Sequence, residues 1–491
     1  MQRQTDDFSH YDHLAWQYPY YMKHGERQLF GQISSALLSM PEENRQIDPV
    51  GIAEIVNRGF LLAERTLVTG VCRTPWMARP KSRGGWEFAQ VPDHGMAHPE
   101  LNDHLKRLKQ AFLEEALSYV EGRHCVGLLL SGGLDSRIVA GVLRELQLRG
   151  DYSGTVVALT WGTDECRDVV YAREIARRLG WDWQHLPLTP ERLMDNVRIA
   201  GEMGAEFSPI HLHAMPDVAK ISGLDAVLAG SYGDSVGRAE FSGVRVRKLR
   251  PIVPKRLDPF ALLKAEVVRT VEADIHHDCC DYRRHIHRES EYQYREIEQQ
   301  MHYMRRRNQS PMLYINERVP LFQFFTAPGT FGLMWSLDPA IRDDRFYRAL
   351  LPTLPGGIGE IPWARTGVPM SDGSHKPDQL SKLHHCYGKW LRNEIRFLIL
   401  SSVKSDAIAR LGIFNDWNLT RTIELWSRAK TVSASGIDEI MAWLASLAYF
   451  VDRYQIQPQK REHFRESPPL RNYLGSMRAS AYLAARDWLR H

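Results

Sequence analysis

The chain has 491 residues, 43% of them hydrophobic, and a formal charge of +4 with an isoelectric point near 8.6. It can bury a core spread over two or three domains, and its mild basicity suits phosphate-bearing ligands without singling out nucleic acid. Six sparse cysteines (72, 125, 166, 279, 280, 386), no apolar signal region near Gln2, Arg3, Asp6 and Asp7, and no apolar run near the roughly 20 residues of a bilayer span argue against a secreted disulfide scaffold or a membrane helix. Reduced thiols in a cytoplasmic protein are expected.

Aromatic and apolar bursts at Tyr18 to Tyr21 and at Leu29 and Phe30, around the turn-like Gly25, predict two strands joined as a hairpin. Asp48-Pro49 opens a helix. A polar segment rich in Pro and Gly, from Gly70 and Pro75 to Pro99, places a domain boundary near residue 95. Leu105, Leu108, Phe112, Ala116 and Tyr119 recur at helical spacing. Four short strands follow, the first of them apolar, at 125–130, 155–160, 183–188 and 225–230, separated by helices over about 135–148, 165–179 and from Pro190. Strands alternating with helices of this length predict an α/β fold with a parallel sheet covered on both faces. From about residue 240 helical patterns dominate, notably Gly436–Tyr449 and Ala479–Leu489, and are read as a helical layer at the sheet's C-terminal edge.

The string Leu130-Ser131-Gly132-Gly133-Leu134-Asp135-Ser136 follows the first of these strands and opens a helix. Strand, glycines and helix start together aim backbone N–H groups at an anion. The hydroxyls of Ser131 and Ser136 add donors, and the helix terminus adds about half a positive charge. Asp135 suits such a site once a cation is added, because Mg²⁺ is commonly held by a carboxylate and substrate oxygens. A tight turn capped by Asp and Ser is the bland alternative. The string is not a Walker loop, since Gly-x-x-x-x-Gly-Lys-Ser/Thr does not occur. A second patch, Ala229-Gly230-Ser231-Tyr232-Gly233-Asp234, ends the fourth strand. Ligands of open α/β sheets sit at the carboxyl ends of strands, so Asp135 and Asp234 are expected to face each other as paired carboxylates for a metal.

These loops resemble the synthetase domain of glutamine-dependent asparagine synthetases and their relatives, β-lactam synthetase and lasso-peptide cyclase. That family is marked by Ser-Gly-Gly-x-Asp-Ser. The resemblance runs from about residue 100 to 480. It implies a parallel sheet of the adenine-nucleotide α-hydrolase (ATP pyrophosphatase) type, with ATP and Mg²⁺ as cofactors. In that reading Leu130–Ser136, Trp161, Ala229 and Gly230 bind ATP and pyrophosphate, with Trp161 beside the adenine, and Asp135 and Asp234 hold the metal. Glu317–Leu321 is similar to the family's Arg-x-Pro-Phe-Leu-Asp segment without its Asp. Tyr18–Leu38 and Asp48–Pro75 look like the second half of the family's glutaminase domain. The expected organisation is therefore a small α+β remnant of an Ntn-type glutaminase domain at 1–95 and a synthetase domain at 96–491. Residue 2 is Gln2 and the first cysteine is Cys72, so no glutaminase activity is expected.

Two positions depart from the family. Ser231 stands where asparagine synthetases carry Glu and β-lactam synthetase Tyr, and Arg365-Thr366-Gly367-Val368 is the nearest match to the family's Lys-x-Gly-Phe. Ser231 and Arg365 are the candidate catalytic residues. Arg365 can stabilise charge on the α-phosphate but cannot act as a base. Lys376, Lys382 and Lys389 are alternative cations downstream. The implied activity is adenylation of a small-molecule or peptide carboxylate, with ammonia or an amine as acceptor. The alternatives are a tRNA- or RNA-modifying enzyme with the same loop, and an auxiliary nucleotide-binding subunit that pairs with a partner or a second copy through its N-terminal part. The basic stretch from Arg245 to Arg256 lacks aromatic stacking partners and reads as a solvated loop. His276, His277, Cys279 and Cys280 do not converge on one helix face, so no zinc site is expected. Arg305–Arg307 reads most simply as a helix surface, with a phosphate contact from the helical layer as the alternative.

Overall fold

A computed structural model describes residue 14 and residues 19–24, 27–81, 84–370, 376–459 and 464–488. Strands β1 (Tyr20–His24) and β2 (Arg27–Gly31) pair antiparallel with Tyr20 opposite Gly31, and β3 (Val71–Arg73) lies on the other edge of β1. The hairpin is as expected, although Tyr18 and the turn residue Gly25 lie outside the described residues. Helix α1 (Ile33–Leu38) follows, then α2 (Pro49–Arg58). Asp48 caps α2 by accepting the Val50 N–H at 2.9 Å, and Gly59 ends it in the left-handed conformation that glycine adopts without strain. A small hairpin, β4 (Ala78–Pro80) and β5 (Trp86–Phe88), leads to α3 (Leu101–Val120).

The alternating elements come next: β6 (Cys125–Leu129), α4 (Leu134–Arg149), β7 (Thr155–Gly162), α5 (Arg167–Leu179), β8 (Asp182–Pro187), α6 (Pro190–Glu202) and β9 (Ala226–Ala229). After a two-residue hairpin, β10 (Glu240–Phe241) and β11 (Val244–Arg245), the sheet is completed by β12 (Leu321–Gln323). The order is β12-β9-β6-β7-β8, and every pair is parallel. Strand β12 is the one strand of this sheet that the sequence pattern does not show. It has three residues, too few for a periodic signal, and it exists by pairing with β9.

The chain leaves β6 toward β7 and β8, then returns to lay β9 and β12 on the opposite side. Neighbours β6 and β9 therefore send their following segments in opposite directions, which opens a crevice at their carboxyl ends. Strand alternation divides the core between the two faces. Val126 and Leu128 pack with Phe112, Ile138 and Ile175 on one face. Leu129, Leu159, Val227 and Leu321 pack on the other with Ile52 and Ile55 of α2, Val197 of α6 and Leu444 of the helix Gly436–Arg453. The segment before residue 95 thus shares a core with the C-terminal helices. The Ile47 N–H donates to Gln457 O at 2.9 Å, and Arg45 Nη1 donates to Tyr454 O at 3.0 Å.

The closing helix spans Pro469–Trp488, with Leu489 outside the described residues. The Arg305–Arg307 run is not a helix surface. It lies in a π-helical stretch, Gln299–Gln309, with Arg305 and Arg306 fully buried. Arg306 donates to Ala63 O at 2.5 Å and Arg65 O at 2.7 Å and pairs with Glu206 at 3.1 Å, while Arg305 donates to Thr74 O. These guanidiniums satisfy carbonyls of the irregular 62–74 segment, which has few strand partners of its own. All six cysteines are free thiols. Among the described residues no helix is long and apolar enough to cross a membrane.

Candidate active site

The first loop leaves β6 with the Leu130 N–H bonded to Leu159 O at 2.9 Å. Gly132 is a packing requirement: a Cβ there would lie 2.9 Å from Tyr171 Cδ2 and 3.0 Å from Ala364 Cβ. Its carbonyl accepts the Ala364 N–H at 3.0 Å and Arg137 Nη2 at 3.1 Å. Arg137 is fully buried and also donates to the carbonyls of Ile358, Ile361 and Pro362, clamping the loop to the 358–364 segment. The Ser131 N–H donates to Ser136 Oγ, the Gly133 N–H to Ser131 Oγ, and the Gly132 N–H to Asp168 Oδ1, each at 3.1 Å. The N–H groups of Leu134, Asp135 and Ser136 form the first turn of α4, where a helix supplies no carbonyl partners and its dipole favours an anion.

The second loop meets the first across the crevice. A Cβ on Gly230 would lie 3.3 Å from the Ser136 amide nitrogen, and one on Gly233 only 2.5 Å from Asp135 Cβ and Cγ. The Asp135 carboxyl thus rests on Gly233, next to Asp234. Burial first, and then the charge of Asp135, push the Asp234 carboxyl up to about 7. Burial likewise raises Asp135, against the opposing pull of Arg238. Arg238 bridges Asp135 Oδ2 and Asp344 Oδ1 at 3.0 Å each. Asp135 Oδ1 is buried with no hydrogen-bond partner. An orphaned carboxylate oxygen beside a second carboxylate, with oxygen donors only, is a set that suits a hard divalent cation.

A cleft of about 310 Å³ runs along this junction. Among the residues singled out from the sequence, Leu130, Ser131, Gly133, Asp135 and Ser136 line it from the first loop. Trp161, Ala229, Gly230 and Ser231 line it from β7 and the second loop. Gly132 and Leu134 pack behind it, and Asp234 lies beside Asp135 rather than on the wall. Ser231 Oγ contacts Met312 Sδ at 3.9 Å. Arg365 is not on the wall either: it pairs with Glu240 and lies 5.0 Å from the Trp363 ring centre, near enough to lower the Asp135 carboxyl. Lys376, Lys382 and Lys389 are exposed and line no part of the cleft.

Sequence reasoning missed Arg238, Asp168 and His384. The first binds Asp135, and the other two line the cleft. Elsewhere, Cys279 and Cys280 come together with Glu298 rather than with His276 or His277, and Glu298 is paired with Arg283 at 2.6 Å. In the basic stretch, Arg247 pairs with Asp338 at 2.8 Å and Arg245 donates to Pro339 O at 2.6 Å, so these two are tied to the protein rather than free in solvent.

A parallel sheet of this order, with two glycine-bearing loops meeting at its switch point, is the architecture of the ATP pyrophosphatase class. Residues 108–320 match the family model described as asparagine synthase, a stretch that starts within α3 and stops one residue before β12. This stretch of the chain is thus similar to an asparagine synthase domain, a likeness that supports an ATP-using enzyme of the ligase type. Among solved structures it is similar to an NMN synthetase from Francisella tularensis, with 13% identity, 36% of this chain and 72% of that chain covered, and a TM-score of 0.19. No curated protein matches the chain.

Proposed function

We propose that the protein adenylates a carboxylate, small or peptidic, releasing pyrophosphate, and that ammonia or an amine then displaces AMP to form an amide. The observation that supports this best is the junction of the two loops. There the first turn of α4 lies against Gly230, with the Ser136 amide nitrogen 3.3 Å from where a Cβ on that glycine would sit, and Asp135 presents a buried, unpartnered oxygen beside Asp234. ATP is proposed to lie in the cleft with its adenine toward Trp161 and its pyrophosphate end over Ser131–Ser136. Asp135 and Asp234 would hold Mg²⁺, which supplies charge neutralisation on the phosphate oxygens.

In this reading the carboxylate attacks the α-phosphorus in line, and the bond to the pyrophosphate oxygen breaks. The chain's contribution is mostly positioning and charge stabilisation. The α4 N–H groups receive the leaving pyrophosphate, and Arg238 offsets the crowding of acidic groups around Asp135. Ser231 and Arg365 are proposed to act near the reacting carboxyl, Arg365 as a fixed positive charge. In the second step the amine nitrogen attacks the acyl carbon and the acyl–oxygen bond to AMP breaks. Labelled pyrophosphate should exchange into ATP only when the carboxylate is present, and Asp135→Ala should abolish that exchange. Full exchange in the variant would overturn the assignment.

A further inference from the structure

Taking the adenylation reading as its basis, we propose that Asp168 and His384 form a sugar subsite that binds the ribose hydroxyls of the nucleotide. A continuous run of contacts crosses the cleft between its two ends. At the aromatic end, Trp161 stacks on His213 with ring centres 5.7 Å apart and planes 13° apart. His213 lies 5.7 Å from the His384 ring. His384 Nδ1 is 4.0 Å from Asp168 Oδ2, and Asp168 Oδ1 accepts the Gly132 N–H of the phosphate loop at 3.1 Å. Asp168 and His384 both line the cleft, midway along this run. With the base at Trp161 and the phosphates at Ser131–Ser136, the stretch between them belongs to the sugar.

The chemistry suits a diol. A separation of 4.0 Å is too long for a direct hydrogen bond, so a hydroxyl can bridge the pair, donating to the carboxylate and accepting from or donating to the ring. Burial lowers the His384 pKa and keeps its ring neutral, with one N–H donor and one acceptor nitrogen. A polyphosphate chain would be repelled from the same place by Asp168. The segment is held in position by its backbone. The Thr163 N–H donates to His384 O at 3.0 Å, and the Arg167 N–H donates to Ser381 O at 2.9 Å.

The test is isothermal titration of the full chain, in Mg²⁺, with ATP, 2′-deoxyATP, 3′-deoxyATP and pyrophosphate. Hydrogen bonds to a charged group of this kind predict that the wild type binds ATP about 10-fold or more tightly than at least one deoxy analogue. Asp168→Asn, which keeps an oxygen for the Gly132 N–H, and His384→Ala should each weaken ATP about 10-fold and erase the discrimination, with pyrophosphate affinity unchanged. Equal binding of all three nucleotides by the wild type would overturn the subsite. So would variants that lose ATP and pyrophosphate together, which would mark the pair as support for the loop alone. A wild type that binds no ATP at all would instead overturn the adenylation reading beneath it.

Discussion

Asp234 gives the most direct physical test of the paired carboxylates. Its carboxyl is pushed from 3.8 up to about 7 by burial and by the neighbouring charge of Asp135. A folded-state pKa above the unfolded one means that the native state favours the protonated form. The stabilisation is full below about pH 4 and is lost as pH rises through about 7. A displacement of that size corresponds to about 4 kcal/mol at 1.36 kcal/mol per tenfold. The repulsion is shared with Asp135 and the side chain keeps some contact with solvent, so about 1–2 kcal/mol is expected at pH 8. Asp234→Asn should therefore raise the melting temperature at pH 8 in EDTA by about 1–2 °C and leave it nearly unchanged at pH 4. Saturating Mg²⁺ should recover most of that difference in the wild type and do little for the variant, because a cation between the carboxylates removes the penalty. Thermal unfolding monitored across pH 4–8, with and without Mg²⁺, measures this. If wild type and variant track each other at every pH, the two carboxylates do not form a coupled pair and the metal assignment fails with them.

Two other substitutions probe the junction and the scaffold. Gly233→Ala places a Cβ 2.5 Å from Asp135 Cβ and Cγ and 2.7 Å from Oδ1. The overpacking should cost about 1–3 kcal/mol in chemical denaturation and displace the carboxylate, so that ATP·Mg affinity falls while the circular dichroism spectrum is retained. Arg306→Met leaves Glu206 as an unpaired charge in a site where both side chains are almost fully buried. Loss of about 3–5 kcal/mol is expected, seen as a lower denaturation midpoint; an unchanged midpoint would show that the buried pair contributes nothing.

What could be read from the sequence was local in origin. Three of the strands from Cys125 to Ala229 were legible as short, largely apolar runs, and the more polar β8 by its place between two helices that repeat at helical spacing. The loop Ser131–Ser136 was legible for the same reason: strand end, glycines and helix start are contiguous, and their geometry follows from covalent neighbours. Strand β12 was not, because three residues carry no period, and the burial of Arg305 and Arg306 was not, because their partners lie in the 62–74 segment.

The site beyond the first loop depended on long-range packing. Arg238 reaches Asp135 across 103 residues of chain, and Gly132 meets Asp168 across 36. Nothing near either residue announces these contacts. They arise because β6 and β9 become neighbours and the 381–384 segment is laid against the end of β7. The amino-acid order by itself determined the α/β class and where the glycine-bearing loop after β6 sits. Only tertiary packing decided which charges surround that loop, because electrostatic partners are chosen by distance in space rather than by distance along the chain.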